Sequence, residues 1–335
     1  MKANLIRRIA IAICLVSCIS IYSCKKDQSA GSDTTTANLT TTGDDQEQVS
    51  NEADLIVSDA NTALNGQSDF SGSLSSSSSL SATTVVNDVN GTENVTGLVN
   101  VHHLICDATV TYDTSNNQRV ITIVYDGTNC WGNRTRTGTV TISMPVGQHW
   151  KDQGATATIT VDALKITRIR DGKSIVLNGT KTITNVSGGL LKDLATLQTI
   201  THTITGSLKI DFESGLSRTW NVSKQRVFTY DNGIVITTTG TYSDGTDNNI
   251  AEWGTNRFGE PFKSLISTPK VIRQDCDFRL VSGQNTLLLS KGTAVITYGL
   301  DANGEPTGCP GTGTYYFKLV WTGVNGKTYT LIAPY

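Results

Sequence analysis

The chain has 335 residues and a formal net charge of −2, with 17% charged residues and 6 prolines. Threonine is its commonest residue, and β-branched side chains favour strands. This balance excludes a nucleic-acid binder working by bulk charge, a coiled coil, a collagen and a polytopic membrane protein.

Residues 1–23 read as a lipoprotein signal peptide. Lys2, Arg7 and Arg8 form a positive start, and Ile9 to Ser23 is an uncharged, mostly apolar run. That run is too short to span a bilayer but suits a secretory signal. Ile21-Tyr22-Ser23-Cys24 resembles a lipobox, in which a small residue precedes a cysteine that becomes acylated. Leu15-Val16-Ser17-Cys18 fits the pattern better locally, but parity selects Cys24. A mature chain starting at Cys24 keeps Cys106, Cys130, Cys276 and Cys309, which can pair. A start at Cys18 leaves Cys24 as an odd thiol in an oxidising compartment. A secretory signal without lipidation is the remaining alternative. Cleavage removes three positive charges and no acid, taking the net charge from −2 to −5. Acyl chains, not surface charge, would then hold the protein to the membrane. The expected location is the outer membrane, facing the periplasm or the cell surface.

Residues 24–46 are polar, without a periodic apolar face, and read as a disordered tether. Over 47–65, Val49, Ala53, Ile56, Val57, Ala60, Ala63 and Leu64 recur at helical spacing, and Gly66 stands where a helix-ending glycine belongs. This predicts one short amphipathic helix that packs on the main domain or binds a partner. Residues 66–97, with the run Ser75 to Ser79, read as a Ser/Thr-rich linker.

Residues 98–335 carry the β signal. Val140, Ile142 and Met144 alternate with Thr139, Thr141 and Ser143. Ala155, Ala157, Ile159 and Val161 alternate with threonines, and Leu164 and Ile166 continue with shifted parity, which predicts a bulge near Ala163. Ile200, His202, Ile204, Leu208, Ile210 and Phe212 share one strand face. Turns are expected at Asp171-Gly172, Asp231-Asn232-Gly233, Asp244-Gly245, Lys291-Gly292 and Asn325-Gly326. The expected fold is all-β: one large antiparallel meander of about 13–16 strands, closed as a sandwich or curled into an open half-barrel. No strand–helix–strand rhythm supports a nucleotide-binding α/β fold.

Two hairpins are flanked by cysteines: Cys106 with Cys130, and Cys276 with Cys309. An antiparallel return brings each second cysteine near its first, which predicts these two disulfides, each stabilising by about 3–4 kcal/mol. Four cysteines allow other pairings, and a four-cysteine zinc site is the functional alternative. The lack of a CxxC spacing and the exported compartment disfavour that site and redox catalysis alike.

Several segments, in order, resemble a family of uncharacterised Bacteroidota outer-membrane lipoproteins. They are Thr122-Ile123-Val124-Tyr125-Asp126-Gly127-Thr128-Asn129-Cys130, Arg136-Thr137-Gly138-Thr139-Val140-Thr141-Ile142, Gly179-Thr180-Lys181-Thr182-Ile183-Thr184-Asn185, Arg218-Thr219-Trp220, Trp253-Gly254-Thr255-Asn256-Arg257-Phe258-Gly259 and the Cys276 hairpin. Lys25-Lys26-Asp27 also resembles the charged start of such mature lipoproteins. The resemblance spans about residues 48–335, and the loop from Gly299 to Gly311 departs from it by being longer. It implies an exported, mostly β protein and no known activity, so no catalytic residue carries over.

The residues themselves offer little chemistry. His102, His103, His149 and His202 form no metal-binding spacing, and no GxSxG elbow is present. Asp244, Asp247, Glu252 and Glu260 are the candidates for a glycosidase pair. Asp301-Ala302-Asn303-Gly304-Glu305 begins like a calcium loop, but Pro306 and Thr312 break the pattern. Exposed Trp131 or Trp150 would suit sugar stacking, while Trp220, Trp253 and Trp321 read as core. Arg218, Arg226 and Arg257 are positioned to stack on Trp220 and Trp253. The expectation is a non-enzymatic, membrane-anchored surface-binding or envelope structural protein without cofactor, metal or nucleic acid. A lipid or acyl-chain carrier with a half-barrel groove is one alternative, and a carbohydrate-binding module or glycoside-acting enzyme the other.

Overall fold

The computed structural model describes residues 30–72, 105–115, 117–309 and 313–335. The signal peptide, Cys24, His102, His103 and most of the 66–97 linker lie outside them. Helix α1 spans Ala30–Gly66 and is followed by the single turn α2, Ser68–Ser71. Residues from Thr42 to Tyr335 form one compact unit, and the helical residues before it belong to another.

Fourteen strands build the larger unit: β1 (Ala108–Ser115), β2 (Gln118–Thr128), β3 (Arg134–Pro145), β4 (Ala155–Arg168), β5 (Ser174–Asn185), β6 (Thr199–Phe212), β7 (Ser217–Tyr230), β8 (Ile234–Gly240), β9 (Ile250–Thr255), β10 (Pro261–Arg273), β11 (Arg279–Leu289), β12 (Gly292–Leu300), β13 (Tyr316–Gly323) and β14 (Thr328–Pro334). All pair antiparallel in one sheet that follows chain order, except that β9 sits off the main path and pairs with both β7 and β10. Among the described residues, β1 and β14 share no ladder.

The period-two pattern sets which face turns inward. Ala155, Ala157, Ile159 and Val161 of β4 are buried, and beyond the irregularity at Ala163 the buried set continues as Leu164 and Ile166. Ala163 has a left-handed backbone, and the register shifts there against both neighbouring strands. Inner residues of several strands meet the 42–66 part of α1. Its ion pairs and hydrogen bonds reach β2, β3, β7 and β9, and Ala53 O accepts a bond from Lys181 on β5. Gly43 lies against Leu319 of β13. The meander therefore wraps around the helix.

Two expectations need correction. The tether of 24–46 and the helix of 47–65 were separated by polarity alone. Helix α1 instead starts at Ala30, and Thr42, Asp45 and Gln46 are buried because charged side chains of the sheet receive them. The 66–97 linker begins later than its serines suggest, since Phe70 is buried and its carbonyl accepts a hydrogen bond from Trp150 N.

The bulge requires a glycine opposite it. A Cβ on Gly138, whose φ is +129°, would lie 2.6 Å from Ala163 O and 2.7 Å from Leu164 Cα. Gly138→Ala is expected to cost at least about 1–3 kcal/mol, seen as a lower urea midpoint at unchanged slope.

Candidate functional site

The interior of this β protein is charged. Between Thr42 and Gly66 the helix carries six acids and no base. Asp45, Glu52 and Asp59 recur every seventh residue, and Glu47 and Asp54 form a second seven-residue row, so the acids lie in stripes along the helix. Inward positions of the strands supply the cations.

Near the start of the unit, Asp44 meets Arg168 and Lys173, both at 2.8 Å, and Asp45 is held by both forks of Arg257, at 2.6 and 2.5 Å. Glu52 pairs with Arg134 at 2.7 Å. Asp54 pairs with Lys224 at 3.0 Å and Arg226 at 3.2 Å. Asp59 accepts from Arg136 at 2.6 Å and from the Tyr125 hydroxyl at 2.7 Å, while Arg136 also donates twice to Asp107. Glu252 faces inward from β9 and takes bonds from Gln46, Ser50 and Lys224. Burial would raise the Asp54 carboxyl, but Lys224, Arg226 and Lys270 together hold it far below the usual carboxylate range. Burial pushes the Lys181 ammonium down to about 7, against the pull of Asp54.

One face of the helix escapes this packing. Asn51, Leu55, Ser58, Thr62 and Asn65 are only partly buried, and with Asp54 they border a cavity of about 640 Å³. A volume in this range suits a small-molecule ligand. The facing wall is made by β6, β7, β8 and β10, whose register aligns two rows. His202, Arg226, Thr238 and Lys270 are cross-strand partners and form a polar row. Two residues further, Ile200, Phe228, Ile236 and Ile272 form an apolar row. The rows stand about 7 Å apart along the strands.

His202 is 1% exposed and lies between the rings of Trp150 and Phe228, at 5.1 and 4.8 Å. Neither of its ring nitrogens has a hydrogen-bond partner, and Arg226 Nε lacks one too. Among the described residues, His202 alone leaves two buried polar atoms unpaired. Burial, together with Arg226, pushes its pKa down to about 3.

Residues next to both disulfides line this cavity. Cys130, joined to Cys106, precedes Trp131, which lines the cavity and is 39% exposed. Cys276, joined to Cys309, precedes Asp277 and Phe278, which line it through two successive left-handed backbone conformations. Strain of this kind persists only where the surroundings impose it.

The other candidates disperse. Trp150 is fully buried, donating to Asn61, so it offers no exposed sugar platform; its position at a loop edge hides this, because the burial comes from the distant helix. Glu252 is interior, Asp244 and Asp247 share Lys263, and Glu260 pairs with Lys291, so the four carboxylates do not gather at one place. Asp301 accepts the backbone N–H groups of Asn303 and Glu305 in a tight loop. Arg218 stacks on Phe262 and Arg257 on Phe212, while the Trp220 ring faces Lys181 and Lys224. Asp275, Cys276 and Cys309 cluster, but both sulfurs are held in the disulfide. Compared with family models, curated proteins and solved structures, the chain matches none.

Two outcomes are expected. Arg136→Met leaves Asp59 and Asp107 buried without their cation and should cost about 3–5 kcal/mol, measured by chemical denaturation. The second concerns pH. The folded state keeps His202 neutral, while the unfolded chain takes up a proton below the ordinary value of 6.5. The His202 contribution to stability is thus complete above pH 6.5 and is lost as pH falls toward 3. His202→Leu should flatten that limb of the pH–stability curve without lowering stability at neutral pH.

Proposed function

We propose that this chain is an exported, lipid-anchored and non-enzymatic protein of the cell envelope that holds a small ligand in the cavity beside α1. The anchor would be Cys24, outside the described residues. Two disulfides agree with an oxidising, extracytoplasmic compartment. The sheet reads as an open half-barrel rather than a sandwich, with α1 occupying most of its concave face.

The observation that carries this reading is the pairing of an apolar wall with unpaired buried nitrogens in one cavity. An apolar wall alone belongs to any core, and an orphaned nitrogen alone costs stability. Together they describe a site that is complete only when filled. This favours the carrier reading over the glycan-binding one, since Trp131 is the sole tryptophan bordering the cavity.

Native mass spectrometry of the mature chain purified from the envelope tests it. The expected spectrum shows the chain with an added small mass that is lost on denaturation. A bare chain, together with no binding of any amphiphile added afterwards, would overturn the reading.

A further inference from the structure

We propose that the cavity takes a single-chain carboxylate amphiphile, with its head on His202 and Arg226 and its chain along Phe228, Ile236 and Ile272. The proposal rests on the ligand-binding reading above and names the ligand class.

The head position follows from what is missing. His202 and Arg226 face each other in register on β6 and β7 and between them leave three nitrogens unpaired inside the cavity wall. A neutral imidazole offers one N–H, and Arg226 Nε offers another. A carboxylate has two oxygens and accepts from both. The surrounding charge agrees. Five cations and three carboxylates line the cavity; with Arg134, Arg226, Asp54 and Asp59 already held in ion pairs, Lys192, Lys270 and Arg279 stand against Asp277 alone. A cavity with that excess of cations attracts an anion and repels a cation.

The chain position follows from the second row. Phe228, Ile236 and Ile272 lie two residues along each strand from the polar row, and Ile234 and Phe278 extend the apolar surface. A ligand with its anion on the first row must lay its next several atoms over the second. Neither a sugar, polar all round, nor a small inorganic anion, with no tail, uses both rows.

The test is calorimetric titration of the mature, delipidated chain with dodecanoate and with dodecanol, which share a chain and differ in the head. Dodecanoate is expected to bind about ten- to a hundredfold tighter, and Arg226→Gln should erase that preference. Because Arg226 also pairs with Asp54, His202→Leu serves as a second variant that breaks no hydrogen bond or ion pair, and it too should narrow the difference. Ile272→Trp, which fills the apolar row, should weaken both probes equally. Equal binding of the two probes, unchanged in Arg226→Gln and His202→Leu, would overturn the carboxylate assignment while leaving the cavity as a binding site. Binding of neither probe would overturn both.

Discussion

The structure depends on a helix whose acids are buried. Taking a carboxylate out of water costs several kcal/mol, and a buried ion pair recovers that only with good geometry. Six such acids on one helix would hold it in solvent if the sheet presented an ordinary apolar face. The sheet instead turns Arg134, Arg136, Lys181, Arg218, Lys224, Arg226 and Lys270 inward, and the helix is seated where Glu52, Asp54 and Asp59 each meet one of them, while Asp44 and Asp45 meet Arg168 and Arg257. These pairs add little net stability by themselves. Their effect is positional. A rotation of the helix, or a slip along its axis, would leave several charges buried and unpaired at once.

That fixed seat explains where the cavity lies. Most of the acids and the small apolar residues Ala53, Ala60 and Ala63 are turned against the sheet, so the remaining face is Asn51, Leu55, Ser58, Thr62 and Asn65, with Asp54 and Asp59 at its edge. This face has neither charge to anchor it nor bulk to fill the space before β6, β7, β8 and β10. The rim is held independently. One disulfide secures the loop that carries Trp131, and the other secures the turn that carries Phe278. The space is thus bounded by a helix that cannot turn and by loops tied at their bases, so the fold maintains it without a ligand's help.

Local rules made the strands legible. Period-two alternation located β3, β4 and β6, the parity change located the bulge at Ala163, and glycine-containing pairs located the turns. The same rules hid the interior. Reading polar residues as solvated assigned 42–46 to a tether, and no local pattern distinguishes a buried glutamine from an exposed one. A signal was present in the charges. Residues 27–118 hold thirteen acids and no lysine or arginine, whereas residues 119–335 hold 22 lysines and arginines against 16 acids. Two segments of opposite sign in one chain are expected to meet. Glu252 escaped for a related reason: it follows an acidic loop, and only the pairing of β9 with β7 and β10 turns it inward.

Strand β7 shows how tightly these levels are joined. Its buried set is Arg218, Trp220, Val222, Lys224, Arg226 and Phe228, so three cations alternate with apolar groups on one inner face. As a free sheet surface this strand would bury charge without compensation, and it could not stay folded against its neighbours. With α1 in place, Arg218 donates to Gln46, Lys224 meets Asp54 and Glu252, and Arg226 meets Asp54 and Ser58. The sheet's inner face is therefore electrostatically complete only with the helix in place. Docking of the helix and completion of the sheet's inner face are energetically coupled, and the row that includes His202 and Arg226 is complete only when both are in place. A site made this way is not grafted on a finished scaffold. It is what remains when the helix and the sheet have satisfied each other everywhere else.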